Sequence, residues 1–388
     1  MQIKRLNNIE QIIALQENFY KSNGIYPFNV SNWTVSSYFR KNMEKYFEYN
    51  FSNSPIDYLY SYSITDEVKY NVMQKLGIPK FEQKNRVCIF FPNNSISIVN
   101  VCNLLQKIHC KNIGILYPAY FSIESCLNSY GVTHTSFYVT RHNGHYRIPI
   151  EEIMNSNVDS IWITSPIYST GTTYCSDDII AIEFMLKNDI IVIADESLCV
   201  LNHELIRHFS KYDNFIGIYS PHKAISFNSF KFSALVCDDS YEDFFDQWLD
   251  VFCGNLPQTS IAAIYHYLSD NYTTCYNAFE TFINKARKDV LAILKNFPNI
   301  ETDSHIYCNL MTLYIKNLDF KFSKDINFLN EIIQHTQTLF YPSYLNGFSE
   351  EIGFSFRINL ALYGPDFLAS LQRLLVYLSD SINAYDYI

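Results

Sequence analysis

Short apolar runs alternate with amphipathic stretches through the middle of the chain. The apolar runs read as buried strands at Val87–Phe91, Asn112–Tyr117, His134–Thr140, Ser160–Thr164, Ile190–Ala194, Phe215–Tyr219 and Phe232–Cys237. Helix-period patterns lie between several of them, at Ser95–His109, Ser122–Tyr130 and Ser176–Lys187. Strands apolar on both faces and separated by helices predict βαβ units. The expected fold class is therefore α/β, with a mostly parallel seven-stranded sheet and helices on both faces. From Pro257 the pattern turns helical, through Leu268 and again over Tyr276–Asn296. Strand-like Tyr307–Ile315 and Gly353–Leu362, with a closing helix at Phe367–Leu378, predict a small α+β domain. The N-terminal helix Ile9–Tyr20 is expected to pack with it. The expected division is an arm belonging to the small domain over 1–50, a large domain over 51–255, and an interdomain helix plus small domain over 256–388.

Composition narrows the function classes. The chain has 388 residues, 48% of them hydrophobic, enough for a sizeable core. It carries 29 basic against 39 acidic residues, net −10, so no basic footprint suggests a nucleic-acid partner. No run of about 20 apolar residues exists to cross a membrane. Met1–Tyr20 is polar and helical in pattern, without the apolar core of a signal peptide, so a cytoplasmic location is expected. Ten cysteines occur without a CxxC pair and read as reduced and mostly buried; no metal site is expected. With 31 tyrosines and 30 phenylalanines, a single aromatic carries little weight.

In parallel sheets, ligands sit beyond the carboxyl ends of the strands. The residues that follow each predicted strand are therefore the candidates. Pro92-Asn93-Asn94-Ser95 opens a helix, and Pro118-Ala119-Tyr120 follows the next strand. Ser165–Thr172 follows a third, Asp195-Glu196-Ser197 a fourth, and Ser220-Pro221-His222-Lys223 a fifth. One crevice would collect a helix N-terminus, an aromatic ring, an acid, a hydroxyl and a lysine. A lysine amine with an acid in a closed pocket suits a Schiff base to pyridoxal 5'-phosphate: the lysine holds the aldehyde and the acid keeps the ring nitrogen protonated. The phosphate suits the helix N-terminus at Asn94-Ser95. Other features read as structural. Asp177-Asp178 start a helix, His142–His145 is a loop, Asp238–Asp246 is a solvated face and Cys199 is buried.

At these residues the sequence resembles the fold-type-I pyridoxal phosphate enzymes, specifically the class I/II aminotransferases, from about Ser54 to the C-terminus. Ile163–Thr172 is similar to the family's N-P-x-N-P-T-G-T loop, and Ile193–Ser197 to its strand ending in D-E. Ser220-Pro-His-Lys223 is similar to S-x-x-K, and Phe354–Asn359 to its F-R-I-x segment. The order agrees too, with 28 positions from Asp195 to Lys223 and 134 from Lys223 to Arg357. The resemblance implies an aspartate aminotransferase-like fold and a set of roles. Lys223 and Asp195 would be catalytic, as the Schiff-base lysine and the partner of the pyridine nitrogen. Tyr120 would stack on the cofactor ring. Asn94, Ser95 and Ser220 would bind the phosphate, and Lys231 stands where the family has a phosphate arginine. Tyr168 replaces the loop asparagine that contacts the phenolic oxygen, and Leu198 replaces a tyrosine that also does so. His222, beside the lysine, resembles decarboxylase and desulfurase relatives. Arg357 would grip the substrate α-carboxylate as a bidentate pair. Tyr60 or Tyr62 would reach the phosphate of the other subunit of a homodimer.

The reading implied is a pyridoxal phosphate-dependent aminotransferase moving an amino group from an α-amino acid to a 2-oxo acid. Alternatives are another carbanion reaction (decarboxylation, elimination or oxidation) in specialised metabolism, or a catalytically quiet homologue serving as a binding subunit. Asn255–Ser260 lacks the arginine of dicarboxylate-specific members, which favours a neutral or aromatic substrate side chain. Tyr26, Phe28 and Trp33 are expected in core or dimer packing, with an arm at the substrate mouth as the other reading.

Overall fold

The computed structural model describes residues 4–46, 64–80, 82, 85–200, 204–252, 254, 256–303 and 306–385. Its strands in chain order are β1 (Phe28–Asn29), β2 (Arg86–Phe91), β3 (Asn112–Tyr117), β4 (Thr133–Tyr138), β5 (Thr140–His142), β6 (His145–Arg147), β7 (Ser160–Thr164) and β8 (Ile191–Asp195). They continue with β9 (Phe215–Tyr219), β10 (Ser233–Asp238), β11 (Ile300–Thr302), β12 (Leu310–Ile315), β13 (Thr338–Leu339), β14 (Tyr341–Pro342) and β15 (Ser355–Asn359).

Seven strands form one sheet in the order β2, β10, β9, β8, β7, β3, β4. From β9 to β4 every pairing is parallel; β10 runs antiparallel to both β9 and β2. The expected seven strands are all present, with ends displaced by at most two residues. Alternation in β2 shows why helices cover both faces. Val87, Ile89 and Phe91 join one apolar cluster with Val101, Leu104 and Leu105, whereas Cys88 and Phe90 join the other. Each such side chain contributes roughly 1.5–3 kcal/mol when fully buried. On β9, Gly217 allows the helix Glu204–Phe209 to lie close, since a Cβ there would come within 2.5 Å of Ile206.

A second sheet, β11-β12-β15-β14, is antiparallel throughout. The helices Ile326–Thr336 and Pro365–Tyr385 pack together beside it. The N-terminus joins this smaller α+β unit: β1 pairs in parallel with β13, and Asn359 N–H donates to the Val30 carbonyl at 2.8 Å. The helix Lys4–Asn23 contacts the helix Ile326–Thr336, as its apolar pattern led one to expect.

One local expectation is corrected. His142–His145 is a hairpin turn between β5 and β6, not an open loop. Asn143 and Gly144 both take positive φ, 52° and 77°, the backbone a two-residue hairpin requires. That Asn-Gly pair was the available signal. Asp178 does start its helix, accepting from Cys175 N–H at 3.1 Å. Cys199 is buried, which pushes its thiol pKa well up. No helix among the described residues is long and apolar enough to cross a membrane.

Candidate active site

The carboxyl ends of β7, β8 and β9 bring the candidate residues together. Asp195 closes β8 and is 2% exposed. Its Oδ1 accepts the Ser197 N–H at 3.0 Å and its Oδ2 accepts Asn94 Nδ2 at 3.3 Å. Asn94 is the first residue of the helix Asn94–Lys107, whose cap is Asn93, accepting from Ile96 N–H at 3.1 Å. The asparagine that caps is thus one residue earlier than the one that reaches Asp195. Asn94 is buried, and its Oδ1 has no hydrogen-bond partner among the described residues. Ser95 is exposed on the first turn.

Lys223 lies in the short helix Pro221–Ala224, where Pro221 supplies a fixed φ at the first helical position. Its Nζ donates to Ser197 Oγ at 3.2 Å and lies 5.3 Å from the centre of the Tyr120 ring. Burial pushes the Lys223 pKa down; Asp195 pulls it back up, and the nearby charge of Lys231 adds to the lowering. Tyr120 stands at the start of the helix Phe121–Ser129, with its ring centre 5.9 Å from that of Tyr168. Ser220 is fully buried and its hydroxyl donates to the Phe232 carbonyl at 2.7 Å. Lys231 is partly buried, which lowers its pKa, and its amine has no hydrogen-bond or ion-pair partner among the described residues.

Arg357 arrives from the other sheet, in the middle of β15, and is 2% exposed. Its Nη1 donates to the Tyr168 hydroxyl at 3.0 Å and its Nη2 to the Ser31 carbonyl at 3.4 Å, while Nε has no partner among the described residues. Its guanidinium lies 4.8 Å from the Trp33 ring centre and 5.0 Å from that of Tyr341. No carboxylate pairs with it among the described residues. A charge this deeply buried without an acid is costly unless a partner arrives.

The loop after β7 carries Tyr168 across to β15. Ser169 Oγ donates to Asn346 Oδ1 at 2.8 Å, and Thr312 Oγ1 donates to the Ser169 carbonyl at 2.8 Å. Gly171, at φ 74°, accepts the Tyr307 N–H on its carbonyl at 2.7 Å, and any Cβ there would collide with the Leu310 carbonyl. Lys223, Asp195, Asn94, Tyr120, Tyr168 and Arg357 thereby form one connected set.

His222 is placed apart from that set. Its ring is fully buried among Phe230, Phe232 and Tyr272, and its Nε2 meets His266 Nδ1 at 3.0 Å. Burial holds both histidines below their ordinary pKa, His266 at about 4. Ser197 and Trp33 are the residues the sequence reading missed or placed otherwise. Ser197 sits directly after the D-E pair, and that position was its signal. Trp33, expected in core or dimer packing, lies against Arg357; Tyr26 instead stacks on Tyr20, with 4.3 Å between ring centres, and Phe28 forms part of β1. Glu196 is structural. Its two oxygens accept from Leu205 and Ile206 N–H, at 3.2 and 2.9 Å, capping the helix Glu204–Phe209, and burial pushes its pKa up to about 8. Tyr60, Tyr62 and Asn255 lie outside the described residues.

The architecture matches solved structures over nearly its whole length. An Escherichia coli protein with a methionine aminotransferase function aligns over 95% of this chain and 96% of its own, with a TM-score of 0.73 and 13% identity. The fold is that of the fold-type-I pyridoxal phosphate enzymes. Cystalysin from Treponema denticola aligns over 94% of this chain and 95% of its own, with a TM-score of 0.70 and 18% identity. A multiple substrate aminotransferase from Thermococcus profundus covers 96% and 95%, with a TM-score of 0.74 and 11% identity. No family model matches the chain, and no curated protein sequence matches it. The architecture is thus shared at low identity with aminotransferases and with a C-S lyase from Staphylococcus hominis, and the reaction must be argued from the site.

Proposed function

We propose that the protein is a pyridoxal 5'-phosphate-dependent aminotransferase acting on an α-amino acid, working as a homodimer. The observation that carries this reading is the buried, acid-free Arg357, linked through Tyr168 and Tyr120 to the Lys223 amine. The polar groups suit the cofactor. The Lys231 amine lacks a partner among the described residues, and Asp195 is buried with its carboxylate held in place on both oxygens.

When bound, pyridoxal phosphate supplies an aldehyde carbon and a protonated ring that accepts the electron pair left at the substrate Cα. Lys223 would hold the aldehyde carbon, and Asp195 would keep the proton on the ring nitrogen. Lys231, Ser220 and the helix start at Asn94-Ser95 would hold the phosphate. Arg357 grips the substrate carboxylate, and its guanidinium is fixed by Tyr168 and Ser31 before substrate arrives. The Tyr168 oxygen accepts from Arg357, so its own proton stays available to donate. With its pKa lowered by burial, Lys223 Nζ has a larger share of free base to take the Cα proton.

The test offers the reconstituted protein a panel of amino acids with and without 2-oxo acids, following the cofactor absorbance and the products. Transfer of the amino group supports the proposal. Ammonia, carbon dioxide or peroxide without transfer would assign another carbanion reaction. Cofactor uptake with no response to any amino acid would indicate a quiet homologue.

A further inference from the structure

Beside the Arg357 carboxylate site lies a cavity of about 730 Å³. That volume is in the range of cavities that take small molecules. Its walls come from two segments. One is the N-terminal stretch with Trp33, Val35, Phe39 and Met43; the other is the loop just after Lys223, with Ser226 and Phe230. Two features tie it to the site. Trp33 is shared: it is among the residues lining the cavity, and its ring centre lies 4.8 Å from the Arg357 guanidinium. The Ser226 N–H donates to the Lys223 carbonyl at 3.0 Å, so this wall is built on the lysine's own turn. The charged residues on the cavity, Arg40 and Glu44, are exposed. Among the described residues lining it, one buried polar atom is unpaired: Ser226 is 7% exposed and its hydroxyl has no partner.

From this geometry we infer that the cavity receives an aromatic substrate side chain, with Ser226 pairing a polar ring substituent such as a phenol hydroxyl or an indole N–H. This rests on the amino-acid reading above and adds the substrate class. A carboxylate held by Arg357 leaves the rest of the molecule next to Trp33. An aromatic ring can then run along the indole face into the apolar cavity, where ring pairs are favourable. An unpaired buried hydroxyl costs free energy until a ligand group meets it. A phenol or indole tip supplies that group, and an aliphatic chain does not.

The experiment uses the full chain loaded with pyridoxal phosphate and reads dissociation constants from the cofactor absorbance on adding L-tyrosine, L-phenylalanine, L-alanine and L-aspartate. Tyrosine and phenylalanine are expected to bind at least tenfold more tightly than alanine or aspartate, and tyrosine more tightly than phenylalanine. Ser226→Ala should weaken tyrosine roughly two- to tenfold, the range of one neutral hydrogen bond, and leave phenylalanine unchanged. Val35→Trp, which fills the cavity, should weaken both aromatic amino acids at least tenfold and hold alanine within twofold. Failure to bind the cofactor at all would remove the amino-acid reading itself. Cofactor binding with aspartate or alanine as tight as phenylalanine, or tyrosine unaffected by Ser226→Ala, would overturn the substrate class alone.

Discussion

At the scale of the residue, three side chains carry the chemistry in the proposed reading. Arg357, Lys231 and Lys223 are each cations in surroundings that do not satisfy them: among the described residues one is buried without an acid and one has no partner, and the third is pushed toward its neutral form. Arg357→Lys keeps a charge but loses the planar fork. It should raise KM for amino acids roughly ten- to a hundredfold, the worth of one charge-assisted bond, and leave the cofactor spectrum of the resting protein unchanged. Steady-state kinetics beside that spectrum checks it; an unchanged KM would remove Arg357 from substrate binding. Lys231→Ala should weaken cofactor binding by a similar factor, roughly ten- to a hundredfold, measured by titrating the apoprotein. Equal affinities would leave the phosphate to Ser220, Asn94 and backbone groups. Sequence exposed Lys223 because it follows a strand, whereas Arg357 and Lys231 stood out only through the resemblance of their segments to the family's motifs. Ser197 was harder to read, since its contact with Lys223 depends on two strand ends meeting. Trp33 was harder still: 31 tyrosines and 30 phenylalanines drown the signal of one aromatic.

Short segments are placed by capping and turn chemistry, and here pH becomes informative. The helix Gln258–Leu268 presents His266 to His222 behind the Lys223 turn. His266 titrates at about 4 in the fold because burial disfavours its charged form, against an ordinary value near 6.5. Between those values the unfolded chain binds a proton that the folded chain does not. Stability therefore rises with pH across this window and is lost as pH falls from about 6.5 to about 4. The loss from His266 is at most about 3 kcal/mol and less once water screens the part-exposed ring. Urea unfolding at a series of pH values should show it, and His266→Gln should flatten that part of the profile. A profile unchanged by the substitution would mean that the histidine pair carries none of the dependence. Elsewhere, Glu196→Ala removes both acceptors at the start of the helix Glu204–Phe209 and should cost about 1–2 kcal/mol in the same assay. Element existence was legible from periodicity, and Ser176–Lys187 was read to the residue. The β5–β6 hairpin was not, because its strands are three residues each and its only mark was Asn143-Gly144.

Taken as a whole, the molecule joins its two sheets through the loop after β7. The seven-stranded sheet supplies Asp195 and Lys223, the smaller one supplies Arg357, and Tyr168 bridges them. The strands of the large sheet were readable because apolar runs mark them. The bridging contacts were not, since Ser169 to Asn346 and Gly171 to Tyr307 span long separations that no local pattern encodes. Gly171→Ala tests the bridge. Its positive φ and the nearby Leu310 carbonyl leave no room for a methyl group, so a loss of roughly 1–3 kcal/mol in stability is expected. Amino-acid binding should weaken with it as Arg357 and Lys223 lose register. The central claim, that one crevice assembles around the Lys223 amine to hold pyridoxal phosphate, has a direct measurement. The protein is incubated with the cofactor, reduced with borohydride and mapped by peptide mass spectrometry. A pyridoxyl group on Lys223 is the predicted result, whereas label on another lysine, or none after full reconstitution, would contradict the account.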